Sequence, residues 1–346
     1  MGGVIVTLKR KFLVWLLVLL CLLSFAGCGW LQRSPERLPK PAQPEEKKEG
    51  NPEAEQQVTI PKSINQGAKK EPKLKVYIAE KNRIETMPFE EYIQGVVAAE
   101  MDPEWHKEAL AAQAIIARSF TLQKIAENGG VPARNAHAST DIKEFQAYNA
   151  SRINENVRQA VESTRGQVAV YGKEFIRGWF HAYAGPRTAM AKEGLEFKGP
   201  NPPYIRIVDS PAEDIIPEEE KKWEAAFPLA RIRSVTRNIT GQDPGKITKM
   251  EIAEKGPSGR AVLLRINDVE VSGPQLRLAL DSTVMRSTYI DDISIKGSSV
   301  TLKGSGYGHG VGMCQWGARS LAEEGKSAEE IVKYYYRNID IVKLWE

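Results

Sequence analysis

Glu100 completes an apolar stripe. Tyr92, Ile93, Val96 and Val97 recur at spacings of three and four, which predicts a helix over residues 88–101 with one face in the core, and the next position on that face is a carboxylate. Burial disfavours the charged form, and so does the negative end of a helix dipole, so both raise a carboxyl pKa. A carboxylic acid still protonated near neutrality can donate a proton to a leaving oxygen, the step that glycosidic cleavage requires. The same spacing fits a Glu100 that flanks the face and pairs with Arg118 or a lysine, and periodicity does not choose between the two. Asp102 is close in sequence but two positions along a helix or turn, so it points elsewhere and reads as a cap for the following helix.

A second set of chemistry-bearing residues lies far down the chain. Between Gly304 and Gly312 every second residue is glycine, and Met313, Cys314, Gln315, Trp316 and Gly317 follow at once. With so few Cβ atoms the backbone can approach another chain or a ligand closely, carrying His309 and Gln315 there. No G-x-G-x-x-G or G-x-x-x-x-G-K-[ST] register runs through the segment, which argues against a phosphate-cradling loop. Val311, Met313 and Trp316 argue against a flexible linker. The flanking glycines remove packing reasons for His309 and favour a functional role. His106, beside Trp105, reads as a half-exposed helix residue, and His181, between Phe180 and Ala182, as a satisfied core or rim histidine.

These residues must be positioned by a mixed fold. A short strand over 75–79 opens it, followed by the helix over 88–101 and an alanine-rich helix over 104–127 that begins after Asp102-Pro103. A polar loop runs to Tyr148. A helix over 154–163 and β-type segments over 167–170 and 175–183 come next, then strands at 249–253, 261–266 and 300–303. Helices over 317–324 and 328–336 end the chain. Without a repeated βαβ unit this order favours α+β: a single mixed domain with an N-terminal helix pair, a mostly antiparallel β region and C-terminal helices.

The 346 residues can bury a substantial core, and a net charge of +4 with interspersed signs leaves no nucleic-acid footprint. Lys9, Arg10 and Lys11 precede an apolar run from Phe12 to Phe25, as in a secretory signal. Ser24-Phe25-Ala26-Gly27-Cys28 is like a bacterial lipoprotein cleavage box, with Cys28 as the lipid anchor; an uncleaved signal anchor is the other reading. Either places the bulk of the chain outside the cytoplasm, tethered to a membrane. Cys314 is then alone in the mature domain, so no intrachain disulfide is available. Residues 29–73 are rich in Pro, Glu, Lys and Gln and read as a disordered tether between the signal segment, 1–28, and a folded domain, 74–346.

Three segments taken together resemble the stage II sporulation protein D and amidase-enhancer family of bacterial cell-wall proteins. They are Glu91 to Met101 continuing through Glu108–Ala114 and Ala117-Arg118; Val271-Ser272-Gly273 with Val284 to Thr288; and Gly308 to Ala318. The resemblance implies a lytic transglycosylase that cleaves the bond between N-acetylmuramic acid and N-acetylglucosamine in peptidoglycan strands stripped of stem peptides, with Glu100 as its catalytic glutamate. A single carboxylate suffices in that scheme, because the muramic 6-hydroxyl closes onto C1 to give an anhydro sugar. It also implies Gln113, Arg118, Tyr183, His309 and Gln315 as substrate-lining residues, and a cell-wall amidase as a partner. A non-catalytic, wall-binding amidase enhancer is the alternative. Some members bind zinc through histidine and cysteines after the second helix, where His137-Ala138-Ser139-Thr140 offers one ligand, so neither metal nor other cofactor is expected.

Overall fold

Alternation shapes the first strand. In Lys73–Ile78 (β1) Leu74, Val76 and Ile78 are buried while Lys73 and Lys75 are exposed, the period of two that turns one face to a core. The structure, a computed structural model, describes residues 58–346. The signal segment with Cys28, and residues 29–57 of the expected tether, lie outside the described residues. The remainder of that stretch is not tether: Ile60 and Ile64 are only 6% and 4% exposed and belong to the main core. Two isolated isoleucines in a polar run gave no periodic signal.

β1 pairs antiparallel with Arg83–Pro88 (β2) and parallel with the two-residue strand Ala138–Ser139 (β3). Sequence reading misses β2 because it is charged and mostly exposed. It leads directly into Phe89–Glu100 (α1), and after a turn comes Lys107–Asn128 (α2). That turn is where the expectation of a helix starting at Glu104 fails. Asp102 Oδ1 accepts from the Glu104 amide at 3.1 Å, closing the turn, and the N-cap of α2 is the exposed His106, whose Nδ1 accepts from Glu108 N–H.

α2 is the central helix, and every residue from Ala109 to Ser119 is buried. Its alanines admit close neighbours: α1, Glu155–Ser163 (α3) and Gln167–Tyr171 (β4). β4 pairs with Glu174–Phe175 (β5); the strand expected over 175–183 is instead reduced to β5 and Phe180–His181 (β6). A short helix, Ala191–Leu195 (α4), follows.

The chain then builds a second core. After Glu218–Lys221 (α5), Lys222–Pro228 (β7) forms one edge of an antiparallel sheet with Ile290–Lys296 (β11) and Ser299–Ser305 (β12) in the order β11-β12-β7. Leu229–Thr240 (α6), Met250–Lys255 (β8), Ala261–Ile266 (β9), Val269–Ser272 (β10) and Gly273–Ala279 (α7) lie between, with the sheet order β10-β9-β8. Trp223, Phe227, Ile232, Leu264, Leu276 and Leu302 fill the space between them. α6 goes unread in the sequence because Ile232, Val235, Thr236, Ile239 and Thr240 are β-branched and weak helix formers, and only Ile232 and Thr236 are buried.

Met313–Cys314 (β13) brings the chain back, pairing parallel with β6. Gln315–Glu323 (α8) and Ala328–Tyr335 (α9) pack on α2, and Asp340–Lys343 (β14) pairs antiparallel with β4. The fold is α+β.

Candidate active site

Glu100 is the last residue of α1, where the chain turns away through Met101. The residue is half-buried, and Oε1 accepts a hydrogen bond from the Ala147 backbone N–H at 2.8 Å. Burial pushes its pKa up to about 7, while the Ala147 N–H and the Gln315 side chain pull it part of the way back. Gln315, the first residue of α8, reaches the carboxyl electrostatically, although its Nε2 lacks a well-formed hydrogen bond. Among the described residues Glu100 forms no ion pair with Arg118, which is held by Glu90, or with a lysine.

The donor at Ala147 is held by three neighbours. The Asn149 amide donates to Gly95 O at 2.9 Å, the Tyr148 ring lies against Gly95, and Tyr148 stacks on Tyr92 at 5.8 Å with 9° between planes. A Cβ on Gly95 would collide with the Tyr148 ring. Further back, Ser139 Oγ and Arg134 both donate to Glu144. His137, considered above as a lone metal ligand, accepts from the Lys75 amide through Nδ1 at 3.1 Å.

Of the expected substrate-lining residues, Gln315 is the one whose side chain lowers the proton affinity of Glu100. Arg118 is a correction. Its side chain is completely buried and forms a forked ion pair with Glu90, with Nη2 to Oε2 at 2.7 Å, and it also donates to Val161 O and Thr164 Oγ1. Glu90 additionally accepts from Gly166 N–H and Trp345 Nε1. Helices α1, α2 and α3, the start of β4 and the C-terminus meet on this one pair. Gln113 is likewise wholly buried, with neither amide atom hydrogen-bonded, so it does not line an open surface. Tyr183 is 1% exposed and its hydroxyl donates to Glu213 Oε2 at 2.8 Å.

His309 is not among the groups that shift Glu100. Its Nδ1 accepts from the Val311 amide at 3.0 Å, and its ring lies 5.6 Å from that of His181. Burial, together with the nearby Arg277 and Arg260 guanidinium groups, pushes its pKa down to about 3, which leaves a neutral imidazole whose lone pair is already used. The glycines around it answer to the protein's own packing. Gly306, Gly308, Gly310 and Gly312 all have positive φ, and a Cβ on them would run into the backbone at Gly185, into His181, into Arg260 and into Trp179 respectively. Alternate glycines let this segment nest against residues 179–185 and Arg260. His181 is buried as expected but half satisfied, with Nδ1 near Val311 O and Nε2 without a partner.

The donor at Ala147 escaped sequence reading because a backbone N–H carries no side-chain signature. A groove of about 700 Å³ lined by Ile60, Gln123, Tyr171, Arg177 and Tyr204 lies elsewhere and includes none of these residues.

A family model described as stage II sporulation protein matches residues 77–171, the segment holding α1, α2 and Glu100. Stage II sporulation protein D of Bacillus amyloliquefaciens is 31% identical over 280 residues, which are 77% of this chain and 77% of that protein. The chain belongs to the stage II sporulation protein D family. An uncharacterized protein of Brachyspira hyodysenteriae is 31% identical over 75% of this chain and 68% of its own length. The amidase enhancer of Bacillus subtilis is 29% identical over 70% of this chain but only 39% of its own. A second model, a domain of unknown function (DUF8618), matches residues 216–312, which span the second core and the glycine segment. The stage II sporulation protein model therefore carries Glu100 and its donor Ala147, while Gln315 comes from the chain beyond both models.

Proposed function

We propose that this protein is a peptidoglycan lytic transglycosylase that cuts between N-acetylmuramic acid and N-acetylglucosamine, with Glu100 as both acid and base. The observation that carries it is a carboxyl held at a helix end with one backbone donor on Oε1, where burial pushes its pKa up to about 7. Near neutrality about half of such groups are protonated and can give a proton to the leaving glycosidic oxygen. The resulting carboxylate takes the proton of the muramic 6-hydroxyl as that oxygen closes onto C1, which returns Glu100 to its starting state. A two-carboxylate glycosidase would need a partner for it. Among the described residues no carboxylate shifts Glu100, which favours the intramolecular route. The stripped-strand preference, an extracytoplasmic location with a membrane anchor that is either a lipid on Cys28 or an uncleaved signal segment, and a partner amidase that removes stem peptides belong to the same proposal.

Stripped glycan strands digested with the protein are expected to release anhydromuramyl products by mass spectrometry, and Glu100→Gln to release none. Product from the Glu100→Gln protein at the wild-type rate refutes the assignment. The name of the amidase enhancer relative favours a second reading, a wall-binding module that stimulates another hydrolase. That reading expects strand binding without product, unchanged by Glu100→Gln.

A further inference from the structure

Trp105 and Trp316 come together from distant parts of the chain. Their ring centroids are 4.7 Å apart and tilted by 55°, and the Arg319 guanidinium lies over both, 5.3 Å from the Trp105 ring and 5.2 Å from the Trp316 ring. Trp316 is 8% exposed and its Nε1 donates to Glu220 Oε2 at 3.3 Å, while Trp105 is only partly buried. The pair adjoins the acid through the chain itself. Trp316 directly follows Gln315, which acts on Glu100, and Trp105 lies five residues past Glu100 in the turn closed by Trp105 N–H to Asp102 O at 3.0 Å. We propose that Trp105, backed by the buried Trp316, forms a saccharide platform beside Glu100, with Arg319 reading the carboxylate of a muramic residue seated there; this rests on the glycan-cleaving reading above.

The chemistry favours that ligand. An indole offers a broad, flat apolar surface with a polar handle, on which the apolar face of a pyranose ring can stack. A guanidinium held over aromatic faces is pre-oriented, and its planar fork matches a carboxylate in two hydrogen bonds. Arg319 is engaged by Glu323, Nε to Oε1 at 2.7 Å, but with side chains 31% and 41% exposed that pair is open to water. Exposed i,i+4 pairs contribute little, so exchange for a ligand carboxylate costs little. Muramic acid freed of its stem peptide carries such a carboxylate on its lactyl group, whereas N-acetylglucosamine carries none.

The test uses the full chain carrying Glu100→Gln, so that no turnover intervenes, and follows tryptophan fluorescence against two probes. One is a tetrasaccharide of alternating N-acetylglucosamine and N-acetylmuramic acid; the other is the N-acetylglucosamine tetramer. Adding Trp105→Ala is expected to weaken binding of both probes roughly tenfold, with Trp105→Phe recovering most of it. Adding Arg319→Gln is expected to weaken the muramic probe roughly tenfold and leave the other unchanged, and Arg319→Lys to recover part of the loss. Unchanged affinities in folded variants, or an Arg319→Gln loss that is equal for both probes, overturn the platform. Should Trp105→Ala fail to fold, the Phe and Arg319 variants still decide. If the variants behave as expected but the wild-type chain releases no anhydro product, the transglycosylase reading fails and the platform stands. If product forms while binding ignores these substitutions, the platform alone fails.

Discussion

The Ala147 backbone amide donates to Glu100 Oε1 at 2.8 Å across 47 positions of sequence. The bond ties the C-terminal end of α1 to the loop that follows β3. It also leaves the carboxyl with one fixed donor in an otherwise desolvating setting. A group with several donors would ionise at low pH, and one with none would stay protonated well above neutrality. Glu100 lies between, at about 7.

That position has a pH signature. The catalytically ready form is the protonated one, so kcat/KM on stripped strands should be flat below neutrality. It should then fall about tenfold per pH unit above pH 7. A rate that keeps rising through pH 9 would be incompatible with Glu100 as the acid.

The same shift affects stability. Because the folded pKa of Glu100 is raised above the value of 4.5 usual for the unfolded chain, the native state holds more protons between pH 4.5 and 7, and stability falls as pH rises through that window. Glu100→Gln should therefore be indistinguishable from wild type near pH 4 and more stable by roughly 1–3 kcal/mol above pH 7. Denaturant melts at the two pH values measure this directly.

Gly95→Ala should act through the loop. The added methyl forces the Tyr148 ring off α1, which disturbs the donor at Ala147. We expect a loss of about 1–3 kcal/mol in stability together with a lower kcat, whereas Ala99→Gly on the same helix should cost about 1 kcal/mol and leave kcat in place. Equal kcat losses in the two variants would argue against a positioning role for Tyr148.

Arg118→Met should reveal a structural group. Removing one member of the buried pair strands Glu90, at a cost of about 3–5 kcal/mol. Per folded molecule, KM for glycan should stay unchanged, because the guanidinium is sealed from substrate. Calorimetry paired with kinetics at low temperature separates the two effects, and a raised KM in fully folded protein would restore Arg118 to the site.

His309 should remain neutral. In ¹⁵N-resolved NMR its imidazole is expected to show the Nε2–H tautomer, with no titration between pH 5 and 9. Since its pKa is depressed, its contribution to stability is complete above pH 6.5 and is lost as pH falls toward 3. Replacing it should weaken the fold at the contact with Val311 without moving the alkaline limb of the rate profile.

Sequence alone determined the elements whose signals are local. The period of Tyr92, Ile93, Val96 and Val97 marked α1 and put Glu100 on its inner face; β9 was legible from end to end, and α3, α8 and α9 to within a residue or two of their ends. These features depend on spacing within one segment. Tertiary structure decided everything that depends on who the neighbour is. Arg118 and Glu100 have the same distance-blind claim on each other in sequence, yet the fold gives Arg118 to Glu90 and leaves Glu100 a backbone amide instead. The glycine segment was read as letting the backbone approach either another stretch of chain or a ligand around His309, and at the glycines themselves the neighbours are Trp179, His181, Gly185 and Arg260. The absence of a Cβ shows that something comes close, and a one-dimensional pattern cannot say what. A carboxyl's proton affinity is likewise set by burial and donors contributed from remote positions, and those exist only once the chain has packed.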